Sequence, residues 1–347
     1  MADAIGAAIA SNDLDALNRL VHEFSSGREW QSLLQLRDRA RAAFERGYQL
    51  WPAAAHAAYR LALEAPGEFS ALVLDDVGGA FAFGPLPEVV AATHEYDEIA
   101  RCAMRNPAFT HFAYECVVRG EDLRTEHIEH DMYSVPLWLG AWEPDYLLAE
   151  YYSDRADFAG PDPIVGRVAK LKAVEAVQRI DAECDEALVA LREVAVAWQR
   201  SSDAVVHVVA VEGPAADAIS VLVRGDGVRA SVHTASLSGA EAIQRLAWAG
   251  SHSGPQGRRR GAAAGRDVAL HAAAIVAGFN LDDEVDIEEL GGAVSDVNWL
   301  WWQARDVVSG WSLRIAVEDP VDGVAFAIDA HIPSADVDQG EEVDGGT

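Results

Sequence analysis

The chain has 347 residues, half of them hydrophobic, and a formal net charge of -29 at pH 7. That length predicts two domains of ordinary size, each with its own core. The acidic excess argues against a broad nucleic-acid or anionic-membrane face, because such a face needs positive potential to recruit phosphates.

The opening segment, MADAIGAAIASNDLD, has no basic stretch followed by an apolar core, and no apolar run approaches the roughly 18 residues that span a bilayer. A soluble, cytoplasmic protein with no membrane partner is expected. Cys102, Cys116 and Cys184 are an odd set without CxxC spacing, which predicts reduced core thiols and neither a disulfide framework nor a metal site. No cofactor is expected.

Residues 1–155 read as a helical domain. Asn12 is placed to cap a helix with Asp15 in its first turn and Leu14, Leu17, Val21 and Phe24 on one face. Further short helices are predicted to start near Gly27 (Trp30, Leu34, Phe44), Pro52, Pro66, Pro87, Glu95 and Pro107, with Pro52 and Pro107 suited to a first turn. Such helices bury their stripes only by stacking on neighbours, so a compact orthogonal bundle or a short HEAT-like array is expected, although no fixed repeat is visible.

The segment 134–164 is rich in aromatics and proline and reads as irregular, packing through Trp138, Trp142, Tyr146 and Tyr152. Residues 156–200 are assigned as a connecting segment followed by long helices, two of them meeting near Ile180 to Cys184. From 201 to 334 a small α/β domain is expected. AVVHVVAVEG and VRASVHTAS read as strands, Pro214 to Val223 and Ser238 to Ala249 as helices, and DPVDG as the turn of a C-terminal hairpin between Trp311–Glu318 and Val324–Ile332. The tail 335–347 has five acids and no base and is expected to be disordered. The fold class is therefore α+β.

The strongest candidate site is SHSGPQGRRRGAAAGR. Here Gly257 and Gly261 flank Arg258, Arg259 and Arg260 ahead of a predicted helix carrying Arg266, with His252 upstream. Unpartnered N–H groups at a helix start, glycines that admit an anion and guanidinium forks make an oxyanion cradle. The competing reading pairs these arginines with the chain's own carboxylates and uses GAAAG for close helix packing. A P-loop is not expected, since GxxxxGK[ST] is absent and a helix, not a strand, is predicted ahead of the loop.

NWLWWQ and the following residues supply Trp299, Trp301, Trp302 and Trp311, either an aromatic patch for stacking or a core seam. EHIEHDMY places His127 and His130 three apart beside Glu126, Glu129 and Asp131, without an HExxH motif, and reads as a solvated connection. His94, Glu95, Asp97 and Glu98 read as an acid-rich helix start. No catalytic residue is assigned, because GxSxG is absent and any triad would be arbitrary.

The motifs YRLALEAPGEF, FAFGPLPEVVAATHEYDEI, VVRGEDL, WEPDYLLAEYYSDRADF, GPQGRRRGAAAGR and GWSLRIAVEDPVDGVAFAIDA together resemble a family of uncharacterised cytoplasmic proteins of high-GC bacteria. The resemblance implies no activity, ligand or catalytic residue. The expectation is a non-enzymatic interaction or scaffold/regulatory protein, with a protein partner and a local anion-recognising arginine loop. The alternative is an enzyme or sensor holding a phosphorylated or carboxylated small anion there, with His252 and Glu or Asp residues of the acid run Asp282 to Glu289 moving protons. A third is an acidic tail that folds back on the loop.

Overall fold

The computed structural model describes residues 3–75, 80, 81, 83–128, 132–171, 177–180, 186–223, 231–279, 286–304 and 308–333. The chain divides into two compact units. One comprises 1–139, 146–160 and 258–263; the other comprises 140–145, 161–257 and 264–347. No described helix is long and apolar enough to cross a membrane.

The first unit is helical. It contains α1 (Ala4–Ala10), α2 (Leu14–Ser26), α3 (Trp30–Glu45), α4 (Trp51–Glu64), α5 (Gly67–Ser70), α6 (Leu86–Ala91), α7 (Tyr96–Ala100) and α8 (Pro107–Val118). Two small antiparallel ribbons complete it: β1 (Ala80–Phe81) with β2 (Gly84–Pro85), and β3 (Ala149–Tyr151) with β4 (Ala156–Phe158).

The alanine-rich α4 buries Ala53, Ala54, Ala57, Ala58, Leu61 and Ala62. Small side chains let neighbouring backbones approach, and α4 accordingly packs against α2, α3, α5 and α6. The predicted prolines fall where the missing N–H costs no helical bond, Pro52 in the first turn of α4 and Pro107 at the start of α8.

Several local details differ from the sequence reading. Asp13, not Asn12, caps α2 by accepting the Ala16 N–H at 2.8 Å, and Asn12 adopts φ 52° just before it. On α3 the buried stripe is Leu33, Leu36, Ala40 and Ala43, while Phe44 faces outward. Cys116 is buried, but Cys102 is exposed, so the thiols are not uniformly core residues.

The second unit is built on a seven-stranded sheet of order β5-β8-β9-β10-β11-β7-β6. Its strands are β5 (Arg167–Lys170), β6 (Gln178–Arg179), β7 (Val205–Glu212), β8 (Ser231–Leu237), β9 (Asn298–Gln303), β10 (Val308–Asp319) and β11 (Val324–Pro333). Every neighbouring pair is antiparallel. Its helices are α9 (Glu186–Gln199), α10 (Ala215–Val223), α11 (Gly239–Gly250), α12 (Ala262–Val276, of which Ala262 and Ala263 belong to the first unit) and α13 (Ile287–Asp296).

Strand alternation sends Val211, Ala325, Ala327, Ala316 and Trp302 to the face covered by α10. The alternate residues Val206, Val208, Ala210, Ile328, Ala330, Ile315 and Val317 are buried on the opposite face, where α9 and α11 pack.

The hairpin β10–β11 forms around DPVDG as the sequence predicts, with Asp319 opposite Val324. Ser238 caps α11 in a full capping box, accepting from the Glu241 N–H while the Glu241 carboxylate accepts from the Ser238 N–H. Ser238→Ala is expected to cost about 1 kcal/mol, measured by urea unfolding, whereas Ser236→Ala on the neighbouring strand lacks a cap to lose.

The long helices expected between 156 and 200 are a correction. Residues 167–170 and 178–179 are edge strands on β8 and β7, and only Glu186–Gln199 is helical among the described part. Val165, Val168, Val177 and Ile180 are β-branched, and sheet pairing outweighs a helical period that isolated residues could also satisfy. Glu129, His130, Asp131 and the tail 334–347 lie outside the described residues. His127 is exposed in an irregular segment, not on a helix face.

Candidate functional site

Among the described residues, a cluster of buried ionisable groups lies in the helical unit. Helix α6 is buried on all sides, from Leu86 through Ala91, and carries Glu88 with no exposed surface. Helix α8 is buried over most of its length and carries Glu115 in FAYECVV, also fully buried. Neither carboxylate could remain ionised there alone, because the desolvation cost is many times the net worth of an ordinary hydrogen bond.

Residues 258–263 supply the compensation. The Arg259 fork donates from Nε to the Glu88 carboxylate at 2.8 and 3.0 Å and from NH2 at 2.8 Å. Tyr151 on β3 donates its hydroxyl to Glu88 Oε2 at 2.7 Å, and Phe158 on β4 places its ring 5.3 Å from the guanidinium carbon. Arg119, just past α8, donates to Glu115 Oε2 at 2.8 Å. Glu115 Oε1 accepts the Ala263 N–H at 2.9 Å and stands 3.3 Å from His111 Nε2. Two carboxylates thus face two guanidiniums.

Gly261 completes the fit with φ +107°, in the left-handed region. A Cβ there would press on Glu115 Oε1 and lie 2.9 Å from His111 Nε2, so the backbone approaches the carboxylate as no other residue could.

The electrostatics follow from these contacts. Burial pushes the Glu115 carboxyl up, but His111, Arg119 and the Ala263 N–H outweigh it and hold the group at about 2, against an ordinary 4.5. Burial and the Glu88 charge push the Tyr151 phenol well above its usual range. Burial pulls Arg259 down, yet Glu88 dominates and raises it.

A folded-state carboxyl held low contributes stability that is present above the unfolded value and lost as pH falls through the folded one. The fall in melting temperature between pH 4.5 and 2 is therefore expected to be shallower in Glu115→Gln than in the wild type. Identical slopes in differential scanning calorimetry would remove Glu115 from the acid response.

The other residues singled out in the sequence divide between the units. Arg266, on α12 within the second unit, is clasped by Glu143 through Nε at 2.8 Å and NH2 at 2.9 Å, both side chains almost wholly buried. Arg259 and Arg266 thus spend these donors on the chain's own carboxylates. Arg258 is exposed and Arg260 half-buried. Gly257 closes a turn by donating to the Gly254 carbonyl at 3.2 Å.

His252 is buried, its Nδ1 2.9 Å from both Ser251 Oγ and the Trp248 carbonyl, and its ring stands edge-on to Trp311. The tryptophans do not form one patch. Trp299 and Trp302 point to opposite faces of the sheet and are both buried, and Trp311 stacks on Trp248 at 5.3 Å beside Trp198.

Sequence reasoning missed Glu88, Glu115, Tyr151 and Arg119. The available signal was an acid inside a mostly apolar stretch, EVVA and FAYECVV, which when buried demands a cationic partner elsewhere in the chain. Among the described residues, no group of three or more His, Cys, Asp and Glu is arranged to hold a metal ion. The chain matches no family model, no curated protein and no solved structure.

Proposed function

We propose that this protein is a non-enzymatic interaction or regulatory protein that reads carboxylates on a protein partner through its arginine loop. The observation that carries this reading is the recurrent fork-to-carboxylate geometry. Arg259 grips Glu88, and Arg266, seven residues on, grips Glu143, each through Nε and NH2. Arg258 carries the same planar fork next to Arg259 and is exposed. A guanidinium matches a carboxylate with two parallel donors, so an acidic segment is the partner chemistry it fits.

The test is binding of a glutamate-rich octapeptide by fluorescence anisotropy at low salt. Arg258→Glu is expected to weaken binding at least tenfold while the melting temperature stays within about 1 °C, as for most exposed substitutions. Equal affinity in both proteins would sink the reading. Native mass spectrometry of the protein from its own host would then identify the partner.

A second reading, an enzyme or small-molecule sensor, is supported by the displaced titrations of Glu115 and Tyr151, since buried groups with shifted protonation concentrate at functional sites. A thermal-shift panel of nucleotides, phosphosugars and dicarboxylates separates the two. Stabilisation by one of these at millimolar concentration, absent with the octapeptide, would favour the sensor.

A further inference from the structure

The cluster around Glu88 has two parts that differ in origin. Its walls come from α6, α8 and the β3–β4 ribbon, which contribute Glu88, His111, Glu115, Arg119, Tyr151 and Phe158. Its contents come from a short stretch of chain 148 and 171 residues away, through Ala263 and Arg259.

That stretch is held by the features that recognise a peptide. The guanidinium is gripped by a carboxylate and faced by an aromatic ring, a glycine presses against a second carboxylate, and a backbone N–H is captured two residues later. Without Arg259, the walls would hold two carboxylates against the single guanidinium of Arg119, so the site calls for a cation.

We infer that the helical unit is a receptor for an arginine–glycine peptide segment of the form Arg-x-Gly-x-Ala, and that residues 259–263 are its resident occupant. A partner protein carrying such a segment competes for the site when the resident loop leaves it. This goes beyond the carboxylate-reading role, which rests on Arg258 facing outward; the receptor rests on residues 88, 115 and 151 and stands or falls separately.

The experiment uses the full chain and a labelled peptide of residues 256–264, QGRRRGAAA. Two variants are designed to empty the site by different routes: Arg259→Ala removes the anchor, and Gly261→Val puts a branched side chain at a left-handed φ against Glu115 and His111, which is expected to displace the loop without altering a receptor residue. Both are expected to bind the peptide at least tenfold more tightly than the wild type, whose site is filled. Binding is expected to vanish when Glu88→Gln is added, or when the peptide's central arginine is replaced by alanine.

Equal binding by wild type and variants would overturn the inference, as would binding that survives either control. If neither variant keeps the wild-type circular dichroism spectrum, the loop is an inseparable part of the core and the receptor reading fails as well.

Discussion

Glu88→Ala is expected to destabilise the helical unit by about 3–5 kcal/mol, the cost of leaving a buried partner charge uncompensated. For a unit of this size that corresponds to a fall in melting temperature of roughly 10 °C or more. The reason is local. Arg259 keeps only 2 % of its side-chain surface exposed, and Tyr151 would lose the acceptor of its hydroxyl at the same time. Removing both charges is a different experiment, because no charge is then left without a partner. Glu88→Leu combined with Arg259→Met is expected to recover most of the loss, and the double-mutant cycle should give a large favourable coupling. Single variants costing less than about 1 kcal/mol would mean that water reaches the cluster.

The second large effect is expected at Gly265, where α12 crosses α11. A Cβ built there runs into the Ala247 carbonyl oxygen and lies 2.9 Å from Ser251 Cβ and 3.0 Å from its amide nitrogen. Gly250 faces it, with a virtual Cβ 3.3 Å from Gly265 Cα. Two of these obstacles are backbone atoms that cannot rotate away, so Gly265→Val must force the helices apart. A cost of about 3 kcal/mol, the upper end for overpacking, is expected in chemical denaturation. Gly292, exposed on α13 with nothing near its virtual Cβ, is the control. Gly292→Ala should be neutral or stabilising by up to about 1 kcal/mol. Equal losses at both positions would show that helix propensity, not the close crossing, governs Gly265.

What was legible in the sequence was what short-range chemistry decides. The DPVDG turn between alternating segments and the prolines at 52 and 107 each act within a few residues, and each is found where expected. The strands β5 and β6 were not legible, because two to four residues at a sheet edge carry too few alternations to compete with an apparent helical period. NWLWWQ was visible as an aromatic run but not as β9, whose alternation sends its tryptophans to opposite faces. The pairing of Arg259 with Glu88 was the hardest to see. Both residues were in plain view, but a contact across 171 positions leaves no periodic trace in a chain with 56 acids.

The same separation bears on how the protein is made. At roughly 5–20 residues per second, the ribosome needs about 10–30 s after adding Glu88 to add Arg259. During that interval the nascent helices have two carboxylates to bury and lack the cation that makes Glu88 affordable. Early in synthesis Glu88 must therefore stay in water or borrow another cation. Expression fragments that stop before residue 258 inherit this condition permanently, however neatly their last helix ends.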